Sequence, residues 1–271
     1  ITQGIGASVI TTKEGSRITF IDTPGHAAFS AMRSRGAKVA DIALLIVGAD
    51  DGVKPQTKEA YSLIKSANVP FIVVATKMDL PSAEIETVYS QLEKEGVLFE
   101  GRGGDTPLVS LSARKNEGIE KLLEMISLVA EVQGIKSDPK GTLEAVVIET
   151  SKGKAGVMAS VVVRSGTLAV GKDIYSQGQI SRIKALFDTN GKNIKEVLPG
   201  EAAAILGFTS SPEVGTRISD SSEGLETQTK EKVKIAKLTE GDISVFLKAE
   251  NAGALEALLG AMPEKTVVVG S

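Results

Sequence analysis

Three runs in this chain, Ile42 to Val47, Val69 to Ala75 and Leu108 to Leu111, are apolar at nearly every position rather than at alternate ones. A strand buried on both faces of a parallel sheet reads this way, whereas a half-buried strand alternates. Between the runs lie stretches with helical boundaries. Pro55 to Ala67 opens on a proline near the first helical position, Glu84 to Glu95 stops at Gly96, and Gly118 to Gln133 stops at Gly134. Upstream, Ala7 to Thr12 and Arg17 to Ile21 are β-rich runs separated by Lys13-Glu14-Gly15-Ser16, a hairpin signal. The alternation predicts, over residues 1–135, an α/β domain with a mostly parallel sheet and helices on both faces.

The pattern changes after residues 136–141, a linker containing Asp138-Pro139. Leu143 to Thr150, Gly156 to Arg164, Leu168 to Tyr175, Ile180 to Phe187 and Ala202 to Phe208 are short strands with turns rich in Gly, Asn and Asp between them. They predict a small antiparallel β-barrel over residues 142–218. Residues 219–242 are polar and read as a linker or a chain join. Ile243 to Ala249, Ala252 to Ala261 and Thr266 to Val269 read as strand, helix, strand, the start of a third α/β unit over 243–271 that is too short to bury a core alone. The chain opens at Ile1 without an initiator Met, which predicts a piece of something longer.

Composition narrows the chemistry. The absence of cysteine excludes disulfides and thiolate metal sites, and the single histidine, His26, excludes a multi-histidine metal centre. A net charge of −3 argues against a broad basic face for nucleic acid. No apolar run approaches the roughly 20 residues of a membrane helix, and no secretory signal opens the chain.

Polar motifs follow the apolar strands, where open α/β sheets bind ligands. Asp22-Thr23-Pro24-Gly25-His26 comes directly after Ile18 to Ile21. Asp22 is placed to hold Mg²⁺, Gly25 to let a backbone N–H approach a phosphate, and His26 to orient a water for attack on a terminal phosphate. Alone, the motif equally describes a type I turn with an Asx cap. Thr76-Lys77-Met78-Asp79 follows Val69 to Ala75. The Asp79 carboxylate can accept from two adjacent donors of guanine, and the Lys77 stem can lie across a base plane. Lys and Asp together are also common in surface loops. Ser112-Ala113-Arg114 follows Leu108 to Leu111, and its small residues let backbone groups reach the guanine carbonyl oxygen. In the opening loop Thr2 can offer a hydroxyl to Mg²⁺ or simply cap the loop. Each signal is weak, and their order along separate strands carries the weight. No G-x-x-x-x-G-K-[ST] phosphate loop occurs in the 271 residues, and Gly101-Arg102-Gly103-Gly104 lacks the Lys-Ser/Thr pair. The chain by itself is therefore expected to bind nucleotide weakly or not at all.

These residues resemble the translational GTPases, and among them the bacterial translation initiation factor 2 family. The likeness runs through DTPGHAAFSAMRSRGAK at 22–38, ADDGVKPQT at 49–57, SARKNEGIEKLLEMI at 112–126, RSGTLAVG and ALFDTNGK in the barrel and FLKAENAGALEAL at 246–258. It implies a GTPase using GTP/GDP and Mg²⁺, with Thr2 and Asp22 at the metal and His26 catalytic. The nucleotide contacts implied are Asp22, Thr23, Pro24, Gly25, His26, Thr76, Lys77, Met78, Asp79, Ser112, Ala113 and Arg114. Gly4 stands where the family usually has His, and Thr76 where it usually has Asn. The resemblance further implies a cytoplasmic monomer that works with both ribosomal subunits, promotes their joining, and meets initiator tRNA through a domain absent here. A catalytically inert scaffold and a factor of elongation type are the alternatives. Residues 27–38 argue against the elongation type.

Overall fold

A computed structural model of the chain describes residues 6–13, 15–22, 39–153, 156–222, 243–247, 255, 258–259, 262 and 266–270. The chain divides into two compact units. One comprises residues 40–136, the other residues 1–39 with 137–271.

In the unit of residues 40–136, β3 (Ala43–Gly48), β4 (Phe71–Thr76) and β5 (Leu108–Ser110) form a parallel sheet in the order β3-β4-β5. These are the three continuous apolar runs. The helices are α1 (Pro55–Ala67), α2 (Ile85–Lys94) and α3 (Ile119–Val132). Leu45 and Val47 of β3 and Val73 of β4 share a core with Ile64 of α1 and Val88 and Leu92 of α2. On β4 the alternate residues Ile72 and Val74 are also fully buried, while α3 buries Leu122 and Ile126 and stands against β5. Burial of both faces of β4 is why its sequence does not alternate.

The other unit begins with an antiparallel hairpin, β1 (Gly6–Thr11) and β2 (Arg17–Asp22), in the register Gly6↔Asp22 to Thr11↔Arg17. The predicted turn closes through Thr12, whose carbonyl accepts from the Gly15 amide at 3.0 Å with Gly15 at φ +87°. The barrel is built on β6 (Glu144–Gly153), β7 (Gly156–Ser165), β8 (Leu168–Ala169), β9 (Asp173–Ser176), β10 (Gln179–Arg182), β11 (Ala185–Phe187), β12 (Asn193–Ile194), β13 (Glu196–Val197), β14 (Ala202–Phe208) and β15 (Arg217–Ile218). Six of these form one sheet in the order β12-β11-β14-β7-β6-β15, and β8 pairs with β13 and β9 with β10. The strand pairs within the barrel are antiparallel.

Strand β7 alternates, with Val157, Ala159, Val161 and Val163 in the barrel core. Strand β6 does not. Its Ala145 and Val147 enter the barrel core, while Val146 and Ile148 pack with Ala7 and Ile21 of the hairpin, Val39 and Val162. The hairpin is also tied to the loop before β14. Arg17 pairs with Glu201 at 2.5 Å, and the Thr19 hydroxyl donates to the Gly200 carbonyl.

Two expected strands are each divided. Leu168 to Tyr175 becomes β8 and β9, because Gly171 turns the chain at φ +84° and donates its amide to Ile183. Ile180 to Phe187 becomes β10 and β11, and between them the Ile183 amide donates to Lys172 while the Lys184 amide donates to Leu206. The polar stretch expected from residue 219 begins inside the barrel. Ser219 exchanges backbone hydrogen bonds with Tyr175, and Asp220 accepts from the Leu143 amide at 3.1 Å. Near the end, β16 (Ile243–Phe246) and β17 (Thr266–Gly270) pair in parallel, as expected of a strand-helix-strand unit.

Candidate guanine-nucleotide site

The parallel register pairs Val73 with Leu108, Val74 with Val109 and Ala75 with Ser110. The chain therefore leaves β4 and β5 on the same rim. Thr76 to Asp79 and Ser112 to Arg114, predicted separately, meet there. The two segments are joined by the backbone: the Leu111 amide donates to Ala75 at 2.8 Å and the Met78 amide to Leu111 at 3.3 Å.

Each side chain has a distinct place. Asp79 accepts a hydrogen bond from the Ser112 hydroxyl at 2.7 Å, and the Lys115 amide donates to that same hydroxyl oxygen at 3.2 Å. Ser112 is buried, at 1% exposure. The Ser112 hydrogen bond holds the Asp79 carboxyl below its ordinary range against the opposing effect of burial; its own amide and the positive charges of Arg114 and Lys115 act in the same direction. Asp79 is thus kept as an anion, the form that accepts from a base edge.

Lys77 adopts a left-handed backbone at φ 60°, uncommon for a residue with a side chain. Its ammonium lies 2.9 Å from Asp50 Oδ2. That hydrogen bond, and then the charge of Asp50, raise the Lys77 pKa, while the same hydrogen bond lowers that of Asp50. Thr76 donates its hydroxyl back to the Val47 carbonyl at 3.3 Å, so it ties β4 to β3. Met78 turns inward and packs against the core shared by α1, α2 and the sheet.

Thr76, Lys77, Asp79, Ala113 and Arg114, with Leu80 and Leu111 as apolar wall, line a pocket of about 440 Å³ on this rim. The loop behind it is closed by reciprocal backbone hydrogen bonds between Ser112 and Glu117, both 3.0 Å. Gly118 then starts α3 at φ +80°, where a Cβ would come 2.4 Å from the Ser110 carbonyl oxygen. A larger groove of about 690 Å³ opens at the other end of the strands, near Pro70 and Pro107, and contains none of the predicted site residues.

Of the residues expected at the phosphates and the metal, only Asp22 is among the described residues. Asp22 ends β2 exposed and opposite Gly6. Thr2, Gly4, Thr23, Pro24, Gly25 and His26 lie outside the described residues. Asp50 was not among the sequence-predicted site residues. It lies within the stretch ADDGVKPQT at 49–57 that resembles the family.

Comparison with known proteins finds relatives for both parts of the chain. The family described as "Elongation factor Tu GTP binding domain" matches residues 1–131, and "Elongation factor G domain 2" matches residues 142–221. Translation initiation factor IF-2 of Caldanaerobacter subterraneus subsp. tengcongensis is 41% identical over 97% of this chain and 41% of its own length. The factor of the same name from Dehalococcoides mccartyi is 47% identical over 80% of this chain and 37% of its own length. The chain therefore spans about two fifths of these relatives. Among solved structures, GDP-bound aIF5B from Aeropyrum pernix shares the fold, with a TM-score of 0.66 at 24% identity over 99% of this chain and 58% of that one. Residues 1–131 and 142–221 thus match, in sequence order, the GTP-binding domain and the second domain of translational elongation factors, and the chain is similar over most of its length to translation initiation factor IF-2.

Proposed function

We propose that the rim of β4 and β5 reads a guanine base, and that the chain is the GTP-dependent core of a translation initiation factor. The observation that carries this reading is the Asp79 carboxylate, oriented by Ser112 beside Lys77 in an open pocket. Guanine presents two neighbouring N–H donors that one carboxylate can accept together. Adenine presents no such pair and would leave the charge unmatched. The Lys77 stem would cover the base plane, and the backbone at Ala113 and Arg114 would meet the guanine carbonyl.

Thr2 and Asp22 would supply oxygen ligands to Mg²⁺. Hard oxygen donors suit that ion, which usually takes one or two protein ligands beside phosphate and water. Among the described residues no cluster of three His, Cys, Asp or Glu forms a separate metal site. The ion would offset charge on the phosphates. Gly25 would donate its amide to the γ-phosphate, and His26 would orient the attacking water. Ordering of the loops around Thr2 and Asp22 to His26 by GTP would favour one arrangement of the protein. On this reading that form promotes joining of the ribosomal subunits around initiator tRNA, which is gripped by a part of the protein outside this chain. Hydrolysis then releases it. The factor acts as a cytoplasmic monomer; among the described residues no helix is long and apolar enough to cross a membrane.

The test uses the natural full-length protein and its His26→Ala variant. Subunit joining should depend on GTP, and ribosome-stimulated hydrolysis should fall by orders of magnitude in the variant. Unchanged hydrolysis would remove His26 from the mechanism. A protein that hydrolyses no GTP on ribosomes would instead fit an inert scaffold. Activity in aminoacyl-tRNA delivery without subunit joining would favour the elongation type.

A further inference from the structure

Asp50 belongs to the turn between β3 and α1, and that turn is held on several sides. The amides of Asp51 and Gly52 both donate to the Gly48 carbonyl, at 3.2 and 2.8 Å. The Ala49 amide donates to Thr76 at 2.9 Å, the Ala49 carbonyl accepts from Glu84 at 3.0 Å, and the Val53 amide donates to Gln91 Oε1 at 2.6 Å. Its acidic neighbour Asp51 is engaged by Lys54 at 3.2 Å.

The pair of Asp50 and Lys77 sits directly above Gly48. A Cβ at position 48 would come 2.7 Å from Asp50 Oδ1 and 3.6 Å from Lys77 Nζ. Asp50 is largely enclosed, its side chain 16% exposed, while that of Lys77 is 52% exposed. An ion pair between two solvated, flexible side chains contributes little. Here one partner is fixed to a hydrogen-bonded turn. The other has its Cα set by a left-handed backbone between two strand-anchored residues. A lysine stem free at one end samples many rotamers, and ordering it on ligand binding is costly. With both ends held, the stem is placed before any ligand arrives, and Lys77 lines the pocket that Asp79 also lines.

We infer that Asp50 is a positioning residue for guanine-nucleotide binding: it anchors the Lys77 ammonium so that the lysine stem forms a preset wall of the base pocket. The inference rests on the guanine reading above. Asp50 touches no base in this scheme and acts only through Lys77.

The experiment is a double-mutant cycle on GDP affinity, measured by calorimetry in the natural full-length protein. Asp50→Ala should raise the Kd about three- to tenfold, the scale of ordering one flexible side chain. Lys77→Ala should weaken binding as well. In Asp50→Ala/Lys77→Ala the Kd should match that of Lys77→Ala, because no stem remains to be placed. Asp50→Asn, which keeps the shape and removes the charge, should fall between the unaltered protein and Asp50→Ala. A loss from Asp50→Ala that persists undiminished in the Lys77→Ala background would mean that Asp50 only supports the turn, and would overturn the inference. So would an unchanged Kd in Asp50→Ala. An unaltered protein that binds ATP or no nucleotide, rather than GDP, would overturn the guanine reading and this inference together.

Discussion

The hydroxyl of Ser112 donates to the Asp79 carboxylate across 2.7 Å, joining residues that lie 33 positions apart in the chain. The bond exists because β4 and β5 run parallel and end side by side. It leaves a half-buried carboxylate ionised, oriented and open to the pocket.

Asp79→Asn is expected to exchange one base for another. The amide replaces an acceptor with a donor, and xanthine carries a carbonyl where guanine carries its exocyclic amine. Affinity for guanine nucleotides should fall tenfold or more, on the order expected for unmatched polar groups, and affinity for xanthine nucleotides should rise. Competition binding with GDP, XDP and ADP checks it. Equal losses for all three would show that Asp79 does not read the base edge.

Ser112→Ala has a pH signature. The folded-state pKa of Asp79 is lowered, with the Ser112 hydrogen bond as the largest cause. Stability from this group is therefore present above the ordinary carboxylate pKa and is lost as pH falls through the depressed folded value. Removing the hydroxyl should cost stability by an amount that is largest near neutrality and fades as pH falls through that depressed value, and the acid-unfolding midpoint should move up with it. Circular dichroism against pH, compared with the unaltered protein, measures the shift.

Gly118→Ala should destabilise the unit of residues 40–136 by about 2 kcal/mol or more. The new Cβ would meet the Ser110 carbonyl oxygen at 2.4 Å in a backbone at φ +80°, at the point where β5, the Ser112 loop and α3 are joined. Denaturant unfolding should show the loss, and base binding should weaken with it.

Ile205→Ala should cost about 2–5 kcal/mol in the barrel, the range for truncating a fully buried aliphatic side chain. Ile205 is 0% exposed and belongs to the barrel core. Because the site at β4 and β5 lies in the other unit, affinity for guanine nucleotide should change far less than stability does. Parallel unfolding and binding titrations separate the two effects.

Much of this architecture was legible without coordinates. Continuous apolar runs marked β3, β4 and β5, although only β4 is buried on both faces and Ile46 of β3 is 53% exposed, and the motifs after β4 and β5 had to share a rim once the strands were parallel. The inward face of β7 was readable from its alternation. What stayed hidden depends on contacts between distant residues. Gly171 looked like one more residue of a long strand, but its left-handed backbone and bond to Ile183 divide it. Thr76 read as a contact for a base, and nothing in its neighbourhood in the chain shows that its hydroxyl donates to the Val47 carbonyl of the adjacent strand. No local pattern announces that Arg17 meets Glu201, or that Asp50 meets Lys77 over Gly48. Periodicity records which way each side chain faces. Which partner it meets there is decided only when separate strands and turns are packed together, and the pairing of Asp50 with Lys77 and of Ser112 with Asp79 belongs to that second kind of information.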